Sequence, residues 1–134
     1  MRVGRLDGSA SETIEAVVDT GATYTWVPRP VLERLGIRSA DTRQIQMADG
    51  RVIEREIGSI LVTVDGKTVP TLCIFGDPES TPLLGAVTLE ECSLAPDPVA
   101  QRLIPVIGYA LAARRTAAIA PAFPARYPAS VHQC

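Results

Sequence analysis

Two Asp-Gly pairs, Asp49-Gly50 and Asp65-Gly66, constrain the fold of this chain more than any other sequence feature. They separate three segments with the residue types of strands: 44–47, 57–64 and 69–75. An Asp-Gly pair between extended arms favours the tight turn of a β-hairpin, since both residues tolerate positive φ. Two such hairpins in succession predict an antiparallel β fold rather than alternating strands and helices.

The remaining predicted elements are short. Residues 13–18 form an extended, β-branched run, and residues 2–6 are a weaker candidate for a first strand. Residues 28–35 are typical of a short helix, because prolines stand at its start and a glycine just past its end. A short buried strand over residues 82–85, a short helix over 86–92 and one closing strand within 97–106 complete an all-β fold with one or two short helices.

The chain has 134 residues, which is the length of one domain. We predict that residues 1–109 form it, with a core of aliphatic side chains because aromatic residues make up only 4% of the sequence. Residues 110–134 are rich in Ala, Pro and Arg, and their apolar residues follow neither the period of a helix nor that of a strand. They are predicted to be a disordered tail.

Charge and cysteine content exclude several classes of function. The net charge of -2 gives no electrostatic reason to expect binding to nucleic acid or to an anionic membrane. Three widely spaced cysteines and a single histidine, His132, favour buried or idle thiols over a disulfide framework or a zinc site. We therefore expect no metal and no cofactor.

No segment has the pattern of a signal peptide or of a membrane span. The first ten residues carry three charges and no apolar run. The longest apolar stretch, residues 103–113, contains a proline and is too short to cross a bilayer as a helix. We expect a cytoplasmic protein.

The residues with the clearest chemistry are Asp19-Thr20-Gly21-Ala22-Thr23. Two valines precede Asp19, which predicts that the carboxylate lies at the end of a buried strand. Gly21 permits a sharp turn, and the Thr20 hydroxyl can tie that turn to a neighbouring segment. Taken alone, such a pattern is also typical of an ordinary junction between a strand and a turn.

Three motifs in order carry a resemblance to a known family: D-T-G-A-T from Asp19, Ala48-Asp49-Gly50 at a hairpin tip, and Leu83-Leu84-Gly85 followed by T-L-E. Over roughly residues 12–106 the chain resembles the retropepsin-like aspartic peptidases, in their bacterial single-domain form. The resemblance implies a small closed antiparallel β-barrel. It also implies an aspartic endopeptidase acting on peptide or protein substrates.

The resemblance assigns roles residue by residue. Asp19 matches the catalytic aspartate, Thr20 the threonine that hydrogen-bonds across a dimer, and Gly21 the glycine approached by the substrate backbone. Ala22 and Thr23 complete the active-site loop; many family members carry Asp or Ser where Thr23 stands, and its hydroxyl could support the loop in their place.

The same resemblance assigns the flap and its supports. Ala48, Asp49 and Gly50 match the flap, the hairpin that covers bound peptide, although the tip is charged here. Gly85, preceded by Leu84, matches the glycine packed behind the active-site loop. Trp26 falls near a position that lines a substrate pocket, whereas a large aromatic residue more often packs in a core.

One D-T-G is half of an aspartic peptidase site. Hydrolysis needs two carboxylates that share a proton, one acting as base on water and the other as acid toward the scissile carbonyl. The sequence contains no second D-T-G or D-S-G, so the partner is predicted to be Asp19 of a second copy in a homodimer. The alternatives are a non-catalytic dimeric β-barrel that binds peptide or mediates interaction, and a fragment of a longer protein.

Overall fold

A computed structural model describes residues 1–107, which form a mostly β fold with two short helices. The strands are β1 (Arg2–Gly4), β2 (Ser11–Thr13), β3 (Val17–Val18), β4 (Thr25–Pro28), β5 (Asp41–Gln46), β6 (Val52–Val64), β7 (Lys67–Gly76), β8 (Leu83–Leu84), β9 (Leu94–Asp97) and β10 (Arg102–Pro105). The helices are α1 (Arg29–Arg34) and α2 (Ala86–Glu91). The predicted fold class, the first strand and both helices are confirmed. The predicted tail, with His132 and Cys134, lies outside the described residues.

Eight strands form one curled sheet in the order β2-β1-β6-β7-β4-β8-β3, with β5 paired to β6. Most neighbours are antiparallel, as predicted, but β4 pairs with β7 and β3 with β8 in parallel. Within residues 1–107 the end strands β2 and β3 share no ladder, so the sheet is a half-barrel. β3, which leads into Asp19, is therefore an end strand.

Both Asp-Gly turns form as predicted. Asp65 and Gly66 have φ values of 49° and 76°, the pair of positive angles that a two-residue hairpin turn of type I′ requires. Gly50 has φ 89°, and its N–H donates to the Met47 carbonyl at 2.9 Å. The turns join β5, β6 and β7 into a continuous meander, and residues at the first turn line the groove described below.

One strand, β10, lies within residues 97–106 as predicted, but it does not close the main sheet, because it pairs with β9 in a hairpin that forms a sheet of its own. Its reversal is made locally by Asp97, whose carboxylate accepts hydrogen bonds from the Val99 and Ala100 N–H groups at 3.0 and 3.2 Å. Gln101 then adopts a positive φ of 54°. The pair Asp97-Pro98 is a turn signal, and the prediction of one extended strand did not take it into account.

The core is aliphatic, as the composition predicted. Val3, Val27, Leu32, Ile60 and Val62 are completely buried. Burial of each such side chain stabilises the fold by roughly 1.5–3 kcal/mol. Helix α1 contributes Val31 and Leu32 to this core, and α2 contributes Leu89.

Cys73 and Cys92 are buried and form no disulfide. Burial raises the pKa of the Cys73 thiol to about 12, so it remains protonated and unreactive. These two cysteines therefore agree with the prediction of idle thiols.

Within residues 1–107, no helix is long and apolar enough to cross a membrane.

Candidate active site

Asp19 is positioned by the parallel pairing of β3 with β8. The Val17 N–H donates to the Pro82 carbonyl at 2.9 Å, and the Asp19 N–H donates to the Leu84 carbonyl at 3.0 Å. The prediction that this strand is buried is wrong, since Val17 is 53% and Val18 38% exposed. Two adjacent valines predict a strand, but they do not tell a covered strand from an end strand.

The active-site loop, residues 19–23, closes on the Asp19 side chain itself. The Gly21 N–H donates to Asp19 Oδ1 at 2.9 Å, and the Ala22 N–H donates to the Asp19 carbonyl at 3.1 Å. A Cβ atom at Gly21 would lie 3.2 Å from Oδ1, so a larger residue would crowd the carboxylate. The loop therefore fixes one carboxylate oxygen through a backbone donor.

The start of α2 holds the other end of the loop. The Ala86 N–H donates to the Ala22 carbonyl at 2.8 Å, and the Val87 N–H donates to the Thr23 carbonyl at 3.0 Å. The first N–H groups of a helix have no partner inside the helix, so these two bonds also cap α2. Thr23 thus supports the loop through its backbone, whereas the sequence suggested its hydroxyl; its side chain is exposed.

Gly85 lies directly behind the loop, in a space that admits no side chain. A Cβ atom there would collide with the Tyr24 carbonyl, 2.5 Å from its carbon, and would lie 2.9 Å from the Thr25 nitrogen. Its φ of -90° is open to any residue, so the requirement for glycine is one of space. The preceding Leu84 is buried.

A groove of about 660 Å³ opens in front of the loop, with β5 on its far side. Its apolar wall includes Trp26, Ile45, Met47 and Leu83. Trp26 is half-buried and lines this groove, so it lies at the pocket rather than in the core cluster. Among the described residues that line the groove, Asp19 alone has a carboxylate side chain.

The predicted flap residues form the turn between β5 and β6. Ala48 lines the groove, while Asp49 and Gly50 are exposed at the tip. The Asp49 carboxylate accepts hydrogen bonds from Arg51 N–H at 3.0 Å and Arg51 Nε at 2.7 Å. Those two bonds, the backbone one first, hold the pKa of Asp49 below its usual value. The charges at the tip therefore neutralise each other across the turn.

The sequence model of one family, gag-polyprotein putative aspartyl protease, matches residues 7–91. The chain belongs to this family. The matched residues include the Asp19 loop and the hairpin of β5 and β6, which line the groove, and the whole of α2, which holds the loop. As a member of an aspartyl protease family, the chain is a hydrolase of the retroviral protease type.

Two solved structures of viral proteases are similar to this aspartyl protease. The simian foamy virus (mac) protease in solution is 22% identical, with a TM-score of 0.47 over 66% of this chain and 89% of that one. The EIAV protease in complex with the inhibitor HBY-793 is 17% identical, with a TM-score of 0.45 over 78% and 89% of the two chains. Comparison with curated proteins gives no match.

Sequence reasoning missed a buried chain of hydroxyl groups behind the aspartyl protease loop. The Gly85 N–H donates to Thr25 Oγ1 at 3.1 Å, and Thr25 Oγ1 lies 2.7 Å from Thr88 Oγ1. Thr88 Oγ1 lies 2.9 Å from Thr71 Oγ1, which donates to Glu91 Oε1 at 2.7 Å. Each hydroxyl has one proton, so donation runs in one direction from Gly85 to Glu91.

The hydroxyl chain ends at Glu91, which is exposed on the short helix α2. The Glu91 carboxylate terminates a polar network that joins β4, β7 and α2. The sequence holds only a weak signal for this network, because threonine is common in strands and the sequence does not show which hydroxyl groups point inward. The network fixes α2, and α2 in turn holds the loop.

Proposed function

We propose that this chain is an aspartic endopeptidase whose active site forms between two copies, each contributing Asp19. One observation carries the proposal: among the described residues, the groove of one chain has a single carboxylate, Asp19. Peptide hydrolysis by this chemistry requires two. A second copy related by a two-fold axis supplies the other without any further motif.

The surface beside Asp19 supports such a pairing. Val17 and Val18 expose apolar side chains on an end strand, next to Thr20, which is also exposed. In the part of the chain that the structure describes, the Thr20 side chain makes no hydrogen bond, so its hydroxyl can meet a second copy. Covering both valines in two chains would remove apolar area from water around the joined site.

In the proposed dimer the two carboxylates would share one proton. Two like charges at about 3 Å cannot both ionise cheaply, so one carboxylate titrates at lower pH and acts as base on a water molecule. The protonated partner polarises the scissile carbonyl. The peptide would lie extended in the groove, with Ala48, Asp49 and Gly50 above it as the flap. Neither step needs a metal or another cofactor.

The buried thiols fit a reducing compartment. Cys73 and Cys92 are buried and free. Reduced cysteines are usual in the cytoplasm. We therefore place the proposed peptidase there.

The test is Asp19→Asn compared with Asp41→Asn. An amide keeps the shape of the carboxyl but cannot act as base, so Asp19→Asn should lower peptide hydrolysis about 10²–10⁴-fold or more. Asp41 also precedes a threonine but lies exposed at the start of β5, so its variant should retain activity. The measurement is cleavage of a peptide library, with and without pepstatin. Equal activity of Asp19→Asn and the parent would refute the proposal; peptide binding without cleavage by either would favour a non-catalytic binding module.

A further inference from the structure

Arg43 reaches across the groove from β5 to Tyr24, the residue that follows the active-site loop. Its Nη1 donates to Tyr24 Oη at 2.8 Å, and its guanidinium carbon lies 5.4 Å from the centroid of the Tyr24 ring. Both residues line the groove that also contains Asp19. The contact is exposed, so a bound peptide could reach it.

The Arg43 charge is not neutralised by a carboxylate within residues 1–107. The five ion pairs described there engage other arginines, and Arg55, the residue directly opposite Arg43 on β6, pairs with Asp77 at 3.2 Å. Two like charges in opposite strand positions destabilise a sheet. The tyrosine contact engages one donor of five, so the guanidinium keeps its charge and donors for a ligand.

The composition of the groove indicates which ligand suits it. Apolar side chains such as Trp26 and Leu83 line most of it, and Arg43 is the cation among the described lining residues. A guanidinium binds carboxylates with paired hydrogen bonds, whereas an apolar side chain placed against it would cover the charge without compensation. An aspartate or glutamate side chain is therefore the best partner for this end of the groove.

We infer that Arg43, oriented by Tyr24, forms a subsite that selects an acidic side chain in the peptide substrate. The inference rests on the proposed function, because it takes the groove to be the peptide site. In a homodimer the subsite occurs twice, so acidic residues are selected on both sides of the scissile bond.

The experiment compares matched peptides that differ only by Glu or Gln at each position around a cleavage site. Cleavage by the parent is measured as kcat/KM, and binding to Asp19→Asn is measured by fluorescence anisotropy. The parent should prefer a Glu peptide about tenfold at one position on each side, the effect of one charge-assisted contact. The preference should fall as salt is raised.

Three variants assign the preference to Arg43. Arg43→Gln should bring the ratio of kcat/KM for the Glu peptide to kcat/KM for the Gln peptide to about one. Arg43→Glu should reverse the charge preference, so that a matched Lys peptide is cleaved best. Arg38→Gln removes an exposed arginine that lines a different surface depression, so it should leave the ratio unchanged. Thermal unfolding shows that each variant is folded. Tyr24→Phe keeps the Arg43 charge but removes the hydrogen bond that orients it, so this variant should weaken the preference for acid without abolishing it.

The outcomes separate this inference from the proposed function. Cleavage without an acidic preference, or a preference that survives in Arg43→Gln, overturns the subsite and leaves the peptidase intact. A weaker dimer in Arg43→Gln with an unchanged ratio also overturns it, because Arg43 would then bind the second copy. Binding by Asp19→Asn that selects acid, with no cleavage by the parent, supports the subsite and rejects the peptidase.

Discussion

At the scale of single residues, the site depends on positions where the backbone leaves no choice of side chain. Gly21 is such a position, since a side chain there would press on Asp19 Oδ1. Gly85 is stricter, because its neighbours are the backbone atoms of Tyr24 and Thr25 and cannot rotate away. Because Gly85 has no side chain, β8 and α2 can lie close behind the loop that carries the candidate catalytic carboxylate.

Gly85→Ala should destabilise the fold and lower activity together. One added carbon meets fixed backbone, and overpacking of this kind costs about 1–3 kcal/mol. Urea denaturation measures the loss, and peptide cleavage at low temperature reports the displaced loop. Gly8→Ala is the control, because its Cβ would meet nothing within 4 Å and it tests only the cost of φ +75°. A Gly85→Ala variant as stable and active as the parent would show that the backbone of Tyr24 and Thr25 moves aside without cost.

At the scale of elements, the parts that the sequence predicted are those encoded by adjacent residues. Asp65-Gly66 specifies its hairpin turn locally, and the prolines of α1 fix where that helix begins. The exposure of Val17 and Val18 depends instead on which strand lies beside β3, and strand order is a long-range property. The hydroxyl chain likewise joins residues 63 positions apart, which no local pattern encodes.

Removing the central hydroxyl of that chain should loosen α2 from the sheet. Thr88→Val keeps the shape of the side chain but deprives Thr25 and Thr71 of a buried partner, at a cost of about 1–3 kcal/mol. Thr88→Ser keeps the hydroxyl and serves as the matched control. Amide hydrogen exchange at Ala86 and Val87, which donate to the loop, should speed up in the valine variant and much less in the serine variant. Equal exchange in both would mean that the hydroxyl does not hold the helix.

At the scale of the whole molecule, the fold presents its candidate catalytic residue at an end of the sheet rather than inside it. β3 has β8 on one side and exposed valines beside Asp19. Within residues 1–107 a single chain has exposed valines and one carboxylate in its groove, so the proposed pairing of two copies would cover the valines and complete the dyad together.

Specific activity should therefore rise with protein concentration until the dimer predominates, because the dimer population follows mass action. Sedimentation gives the dimer dissociation constant, and cleavage rates are measured from well below to well above it. Asp19→Asn added to the parent should poison activity, since a mixed dimer has one ionisable partner. At three variant chains per parent chain, random pairing leaves about one parent chain in four with an intact dyad, so activity should fall about fourfold. Asp41→Asn at the same ratio should not lower it. Specific activity that stays flat across the dissociation constant, with no poisoning, would mean that a single chain hydrolyses peptides alone and that Asp19 is not half of a shared site.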